Sequence, residues 1–207
     1  MYSVVIPTMW KSNRTLDLLI SYSNCNLVKE IIIIDNNPSL SIDLSQIKKL
    51  KKIYSGKNIY VNPAWNFGVR MSSCEKVIIS NDDISFDVDK LLYFMLDKSG
   101  VFGIHHSGIN LHEEVELDLI DGDCIGSGWG CLIFLEKSQY KEIPDSIKVL
   151  YGDNWISANS RNPKSIVANL FTEHSTTCNF VFNENKDVPI FDLDKSAWMS
   201  ILETNFK

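Results

Sequence analysis

Three short polar clusters hold many of the chemistry-bearing side chains in this sequence: Pro7-Thr8, Asp35-Asn36-Asn37 and Asn81-Asp82-Asp83. Each follows directly on an apolar run, Tyr2 to Ile6, Val28 to Ile34 and Glu75 to Ser80. If those runs are parallel strands, their polar ends lie along one edge of the sheet, where open α/β folds bind ligands. The order of the residues therefore predicts that carboxylates and amides from distant parts of the chain converge. Adjacent carboxylates such as Asp82-Asp83 serve either to cap a helix or to hold a hard cation. Asp35-Asn36-Asn37 taken alone also suits a turn. Neither GxGxxG nor GxxxxGK[ST] occurs, so the glycine-loop modes of phosphate binding are not indicated.

The elements that must present these clusters follow from periodicity. Four consecutive isoleucines in Val28 to Ile34 are too β-branched and too uniformly apolar for a surface helix, and fit a central strand buried on both faces. A helix over Thr15 to Tyr22 is expected, capped by Ser12 or Asn13, with Leu16, Leu19 and Ile20 inward. Ile53 to Ser55 and Asn58 to Val61 read as short strands, and Pro63 as a helix start. Asp87 caps a helix expected to run to about Ser99, and Val101 to His105 is a further strand. After Gly108 the rhythm changes. Glu113 to Ile120, Cys131 to Leu135 and Ile166 to Asn169 read as strands, Ser138 to Lys141 and Asp153 to Asn159 as short helices, and Ser196 to Leu202 as a last helix. The reading is one α/β domain over 1–207 with a mixed, mostly parallel sheet flanked by helices. Its half 1–107 binds the ligand. Its half 108–207 completes the site and ends in a C-terminal tail.

Composition narrows the function. The chain has 207 residues, 44% hydrophobic and 22% charged, with a net charge of −6. An acidic chain is poorly suited to nucleic acid, and its densest basic stretch, Lys48-Lys49-Leu50-Lys51-Lys52, reads as solvated surface. Five cysteines without a CxxC argue against zinc and against a disulfide framework, and suit buried thiols. No run approaches a membrane span, and the first residues lack the pattern of a signal peptide, so a cytoplasmic location is expected.

The segments "VVIPT", "IIIIDNNP", "NPAWNFGVR" and "IISNDD", followed by Tyr151-Gly-Asp-Asn-Trp155, together resemble a nucleotide-sugar glycosyltransferase of the GT-A fold, close to the family-2 type. The resemblance covers most of residues 1–175. It extends to glycosyltransferase domains that a chlorella virus encodes for its capsid glycans, which would make this chain one domain of a longer polypeptide in the host cytoplasm. The resemblance implies a Rossmann-like GT-A fold, a UDP-sugar donor, a glycan or glycoprotein acceptor, and Mn²⁺ or Mg²⁺. It places Asp35 on the uracil ring, Pro7 and Thr8 along base and ribose, and Asn36, Asn62 and Asn66 among the donor contacts. Asn81-Asp82-Asp83 stands where the family has Asp-x-Asp, with Asn at the first position. Asn81 then touches ribose, Asp83 is the main metal carboxylate, and Asp82 lies beside it. His174 stands where some members supply a metal ligand. Gly128-Trp129-Gly130 borders the donor sugar. Arg70 is placed with the donor phosphates, or at helical spacing from Asn66 as an ion-paired surface residue.

Glycosyl transfer expels a nucleoside diphosphate while the sugar becomes oxocarbenium-like, and the acceptor hydroxyl needs a group to take its proton. Asp153, between Tyr151 and Trp155, is the candidate base, which implies inversion; retention is the alternative. As a helix N-cap it has a second reading. A nucleotidyltransferase is disfavoured because Pro7 to Lys11 has no glycine. A non-catalytic nucleotide- or sugar-binding module would keep Asp35 without needing Asp83 or Asp153. Trp10, Trp65 and Trp198 read as packing residues.

Overall fold

Two apolar strands set the centre of the molecule in the computed structural model, which describes residues 1–54, 56–123, 129–172 and 190–205. Every residue of β1 (Tyr2–Thr8) is buried, and in β2 (Val28–Asp35) only Lys29 is exposed. They pair in parallel, with β3 (Leu50–Tyr54) beyond β2 and β4 (Lys76–Ser80) on the other side of β1. The remaining strands are β5 (Ile84–Ser85), β6 (Phe102–Ile104), β7 (Asp118–Asp121), β8 (Leu132–Glu136), β9 (Lys164–Val167) and β10 (Phe171–Thr172). The main sheet runs β3-β2-β1-β4-β8-β6-β9-β7, with β8 and β7 antiparallel to their neighbours, while β5 and β10 form a small antiparallel pair. The mixed, mostly parallel sheet is the one expected.

The pleat sends alternate residues to opposite faces. Val4, Ile6 and Ile78 join a core with α1 (Thr15–Asn24) and α3 (Val88–Phe94). Val5, Val77 and Ile79 join another with α2 (Val61–Met71), α4 (Gly152–Ala158) and α5 (Ile190–Asn205) through Trp65, Trp155 and Trp198. Gly68 permits the closest approach on that face. A Cβ there would lie 2.1 Å from Val5 Cγ1.

Several expectations are corrected. On α1 the buried stripe is Thr15, Leu18, Leu19 and Tyr22, while Leu16 is exposed, because the Tyr22 ring fills the core against Phe86. Ser12 accepts from the Arg14 amide in a turn before the helix, and neither it nor Asn13 is the cap. Lys48 and Lys51 are exposed, as expected of solvated surface, and Leu50–Tyr54 form edge strand β3, where Lys51 pairs with buried Glu30 at 3.0 Å. No strand forms over 58–60, and α2 starts at Val61, ahead of Pro63. Asp87 caps α3 as expected, accepting from the Lys90 amide at 2.9 Å, but the helix ends at Phe94. The strand expected over Glu113 to Ile120 is confined to β7. The last helix, α5, is longer than expected at both ends. Cys25, Cys74 and Cys131 are buried. Among the described residues no helix is long and apolar enough to cross a membrane.

Candidate functional site

The parallel strands bring the polar clusters together as the sequence implied. Thr8 stands opposite Asp35 in the β1–β2 register. On its other side the Thr8 hydroxyl donates to Asp82 Oδ2 at 2.5 Å. One threonine at the end of β1 thus sits between the acidic residue that ends β2 and the one that follows β4. Its hydroxyl also accepts from the Trp10 amide at 2.8 Å, which fixes the loop leaving β1. Pro7 is buried within β1, opposite Ile34.

Asp35, Asp82 and Asp83 are all buried. Asp35 Oδ1 accepts from the Asn37 amide at 2.9 Å, so the turn and the site share this carboxylate. Burial pushes the Asp82 carboxyl up to about 6; the neighbouring Asp83 charge adds to this, and the Thr8 hydroxyl opposes it. Two adjacent buried carboxylates suit a hard cation that takes its remaining oxygens from a diphosphate. Among the described residues no group of three or more His, Cys, Asp or Glu is arranged to hold a metal ion.

Asp153 reaches this edge through the backbone. A Cβ on Gly130 would lie 2.9 Å from Asp153 Oδ2, so the carboxylate rests against that glycine. The next residue, Cys131, accepts from the Asn81 amide at 2.9 Å. Asp153 is therefore separated from the Asn81-Asp82-Asp83 turn by one short 3₁₀ turn, 129–131. Burial raises its carboxyl pKa; the Asn154 amide opposes this, and the Asp123 charge adds to it.

Other side chains expected at the donor are hydrogen-bonded or ion-paired to neighbouring loops. Asn66 uses its whole amide on residues 140–143, accepting from the Tyr140 hydroxyl and the Ile143 amide and donating to the Ile143 carbonyl. Asn62 donates to the carbonyls of Ile147 and Leu150. Asn36 accepts from the Ile59 amide and ties the end of β2 to the start of α2. Arg70 sits in the last turn of α2, which leads away from the carboxyl edge, and pairs with Glu142 at 3.2 Å with both side chains exposed. These amides and this guanidinium organise the scaffold because a crossover helix needs polar ties to the loops beside it. Trp129 is fully buried, and its indole donates to the Lys164 carbonyl. Its ring covers Gly103, where a Cβ would lie 2.2 Å from it, so it is a core wedge. Trp155 is likewise buried and donates to the Lys141 carbonyl, and Tyr151 stacks on Trp198. Gly128 and His174 lie outside the described residues.

Sequence reasoning missed Arg14 beside this edge and the contact between Gly130 and Asp153. Arg14 Nη1 donates to Ser85 at 2.7 Å, two residues beyond Asp83. A basic residue at the start of the helix after Pro7-Thr8 was the available signal. Gly130, expected to border the donor sugar, lies against the Asp153 carboxylate.

No family model matches the sequence, and no curated protein matches it by sequence. Solved structures do. S. aureus TarS 1–349 matches with a TM-score of 0.59 at 16% identity, over 84% of this chain and 60% of that one. Its complex with UDP-GlcNAc matches at 0.56 and 15% identity, over 83% and 58%. HddC from Yersinia pseudotuberculosis matches at 0.55 and 18% identity, over 90% and 99%. This chain thus spans about three fifths of TarS 1–349. The mixed, mostly parallel central sheet and its flanking helices match the GT-A fold of these structures.

Proposed function

We propose that the chain is a glycosyltransferase that moves a hexosyl group, of glucose or rhamnose type, from a UDP-sugar to a hydroxyl of a glycan or glycoprotein. The observation that carries the reading is the meeting of Thr8, Asp35 and Asp82-Asp83 at one sheet edge, with Asp153 set beside it across Gly130. Support comes from TarS, which shares the fold and has been solved with UDP and with UDP-GlcNAc.

Asp35 keeps acceptor capacity beyond its bond to Asn37, enough to take a uracil N–H. Thr8 orients Asp82 and shapes the wall for base and ribose, together with Pro7 and Asn81. Asp83, with Asp82 beside it and His174 as a further ligand, would hold Mn²⁺ or Mg²⁺. That ion, when bound, stabilises negative charge on the departing diphosphate. Asp153 acts on the acceptor: its carboxylate takes the hydroxyl proton as the new C–O bond forms at the anomeric carbon and the bond to the diphosphate breaks. Direct displacement of this kind inverts the anomeric centre. The raised pKa strengthens Asp153 as a base, provided it is ionised at the working pH. The acceptor class extends to capsid glycans of the kind made by the viral enzymes the motifs resemble, with this chain as one domain of a longer cytoplasmic polypeptide.

The first experiment is thermal unfolding with UDP, GDP and CMP, each with Mn²⁺ or EDTA. A ligand at about 100 times its dissociation constant adds roughly 2.7 kcal/mol to stability. Stabilisation by UDP that needs the metal supports the reading; no shift with any nucleotide overturns it. A product with retained anomeric configuration removes Asp153 as the displacing base.

A further inference from the structure

The segment that delivers Asp153 is gripped from two sides. On one side its carbonyls accept from Asn62: the backbone amide donates to Lys148 O at 2.9 Å, and the side chain donates to Ile147 O at 3.3 Å and Leu150 O at 2.9 Å. On the other side its amides donate to a single carboxylate from the far end of the chain. Asp194, on α5, is fully buried and accepts from the amides of Lys148, Val149 and Leu150 at 2.7, 2.7 and 2.8 Å. Bonds from amides to a buried carboxylate are charge-assisted, and losing one strands a charge.

One turn along α5, Trp198 stacks on Tyr151, with ring centroids 5.7 Å apart and planes within 6°. Tyr151 has φ 62°, ψ 8°, the left-handed conformation that a non-glycine residue adopts only when its surroundings hold it there. Gly152 follows and packs so tightly on α2 that a Cβ would lie 2.1 Å from Asn62 Oδ1. Asp153 comes next. From residue 147 to the carboxylate, the chain has little freedom while α5 is docked.

We infer that α5 is a clamp for the catalytic loop, and that Asp194 and Trp198 are positioning residues that fix the Asp153 carboxylate through residues 148–152. The inference rests on the reading of Asp153 as base. Asp194 touches no reacting atom. Its effect appears in turnover because small displacements of a reacting group are costly while donor binding, made at the β1, β2 and β4 ends, is left in place.

The test compares wild type, Asp194→Asn, Trp198→Leu and Glu30→Gln. Glu30 lies on β2, towards the opposite edge of the sheet from Asp35, and serves as a control for lost stability. For each variant, measure amide exchange at 148–150, kcat and KM for the UDP-sugar, and the midpoint shift with UDP and Mn²⁺, all well below the unfolding temperature. Asp194→Asn is expected to speed exchange at 148–150, lower kcat by about 10–100-fold, and leave donor KM and the UDP shift nearly unchanged. Glu30→Gln lowers the midpoint and keeps kcat. If Asp194→Asn does not fold, Trp198→Leu carries the same readouts with a smaller fall in kcat. Wild-type kcat in folded Asp194→Asn overturns the inference, as does parallel loss of kcat and UDP binding. A wild type without turnover on any donor overturns the glycosyl-transfer reading, and full activity in Asp153→Asn overturns the base assignment; either takes this inference with it.

Discussion

Gly130→Ala tests the placement of Asp153 without touching the carboxylate itself. The new Cβ would lie 2.9 Å from both Cβ and Oδ2 of Asp153 and 3.1 Å from Cγ, where ordinary contact begins at 3.4 Å. Gly130 is not among the positive-φ residues, so alanine suits the backbone and the conflict is steric. Relief requires a displacement of at least ~0.5 Å. Asp153 Cβ is itself in conflict, so turning the carboxylate cannot relieve it; the backbone at Asp153 or the 129–131 turn must shift, and the carboxylate is displaced from its seat. A misplacement of about 1 Å costs up to ~100-fold in rate, so half of that predicts a fall of about 10-fold in kcat. That is about 1.4 kcal/mol of transition-state stabilisation. The assay is UDP release at saturating donor, with the UDP-dependent midpoint shift measured alongside. Reduced kcat with an intact shift is the expected pair. Unchanged kcat would refute the idea that chemistry depends on the carboxylate at Gly130. Loss of the UDP shift would instead make Gly130 part of the donor site.

Asp153→Asn should lower kcat by about 10²–10⁴-fold, and the wild-type rate should fall as pH drops through a pKa above the ordinary aspartate value of about 4, because burial raises that of Asp153; a rate flat down to pH 4 contradicts this. Glu30 behaves oppositely. Burial alone would raise its carboxyl, but hydrogen bonds from Ser3 and Ser73, with Lys51, hold it at about 2 against an ordinary value of 4.5. Its contribution is therefore full above pH 4.5 and lost as pH falls towards 2, and Glu30→Gln should lose on the order of 1–2 kcal/mol at neutral pH, a figure reduced by the half-exposed Lys51. Denaturant titrations of both proteins at pH 7 and pH 3 check it, the gap closing at the lower pH. Gly68→Ala should cost about 1–3 kcal/mol by overpacking against Val5, seen as a lower midpoint with UDP affinity unchanged. Arg70→Ala should leave UDP binding as it is and change stability by less than about 1 kcal/mol, because its exposed pair with Glu142 is screened.

The legible parts of this sequence were those decided locally. Four isoleucines in β2 announce a strand buried on both faces, and the polar residues that end β1, β2 and β4 announce a shared edge. Asp87 announces its helix. What the sequence hid was decided by partners far along the chain. Asn62 and Asn66 carry the amides a donor site would use, yet they are taken up by residues 140–150, a fact written in tertiary structure alone. Trp129 belongs to a segment expected to border the donor sugar, and the glycine against its ring is Gly103, twenty-six positions earlier. The inward face of α1 shifted by one position because Tyr22 outweighs Leu16 in buried area. Even α5 was shortened in prospect, because its buried face depends on Tyr151 and on the amides that Asp194 receives.

Two buried carboxylates on this sheet show how site and scaffold divide. Glu30 is met by Ser3, Ser73 and Lys51, so ionisation favours the fold. Asp82, near the opposite edge, has the Thr8 hydroxyl and the charge of Asp83 beside it, and its carboxyl is pushed up to about 6. Held ionised at neutral pH, it costs on the order of 2–3 kcal/mol relative to an ordinary aspartate. Keeping two adjacent carboxylates where three strands end makes sense when a cation and a diphosphate complete the arrangement. On the proposed function, the cost at Asp82 is recovered when such a ligand fills the site.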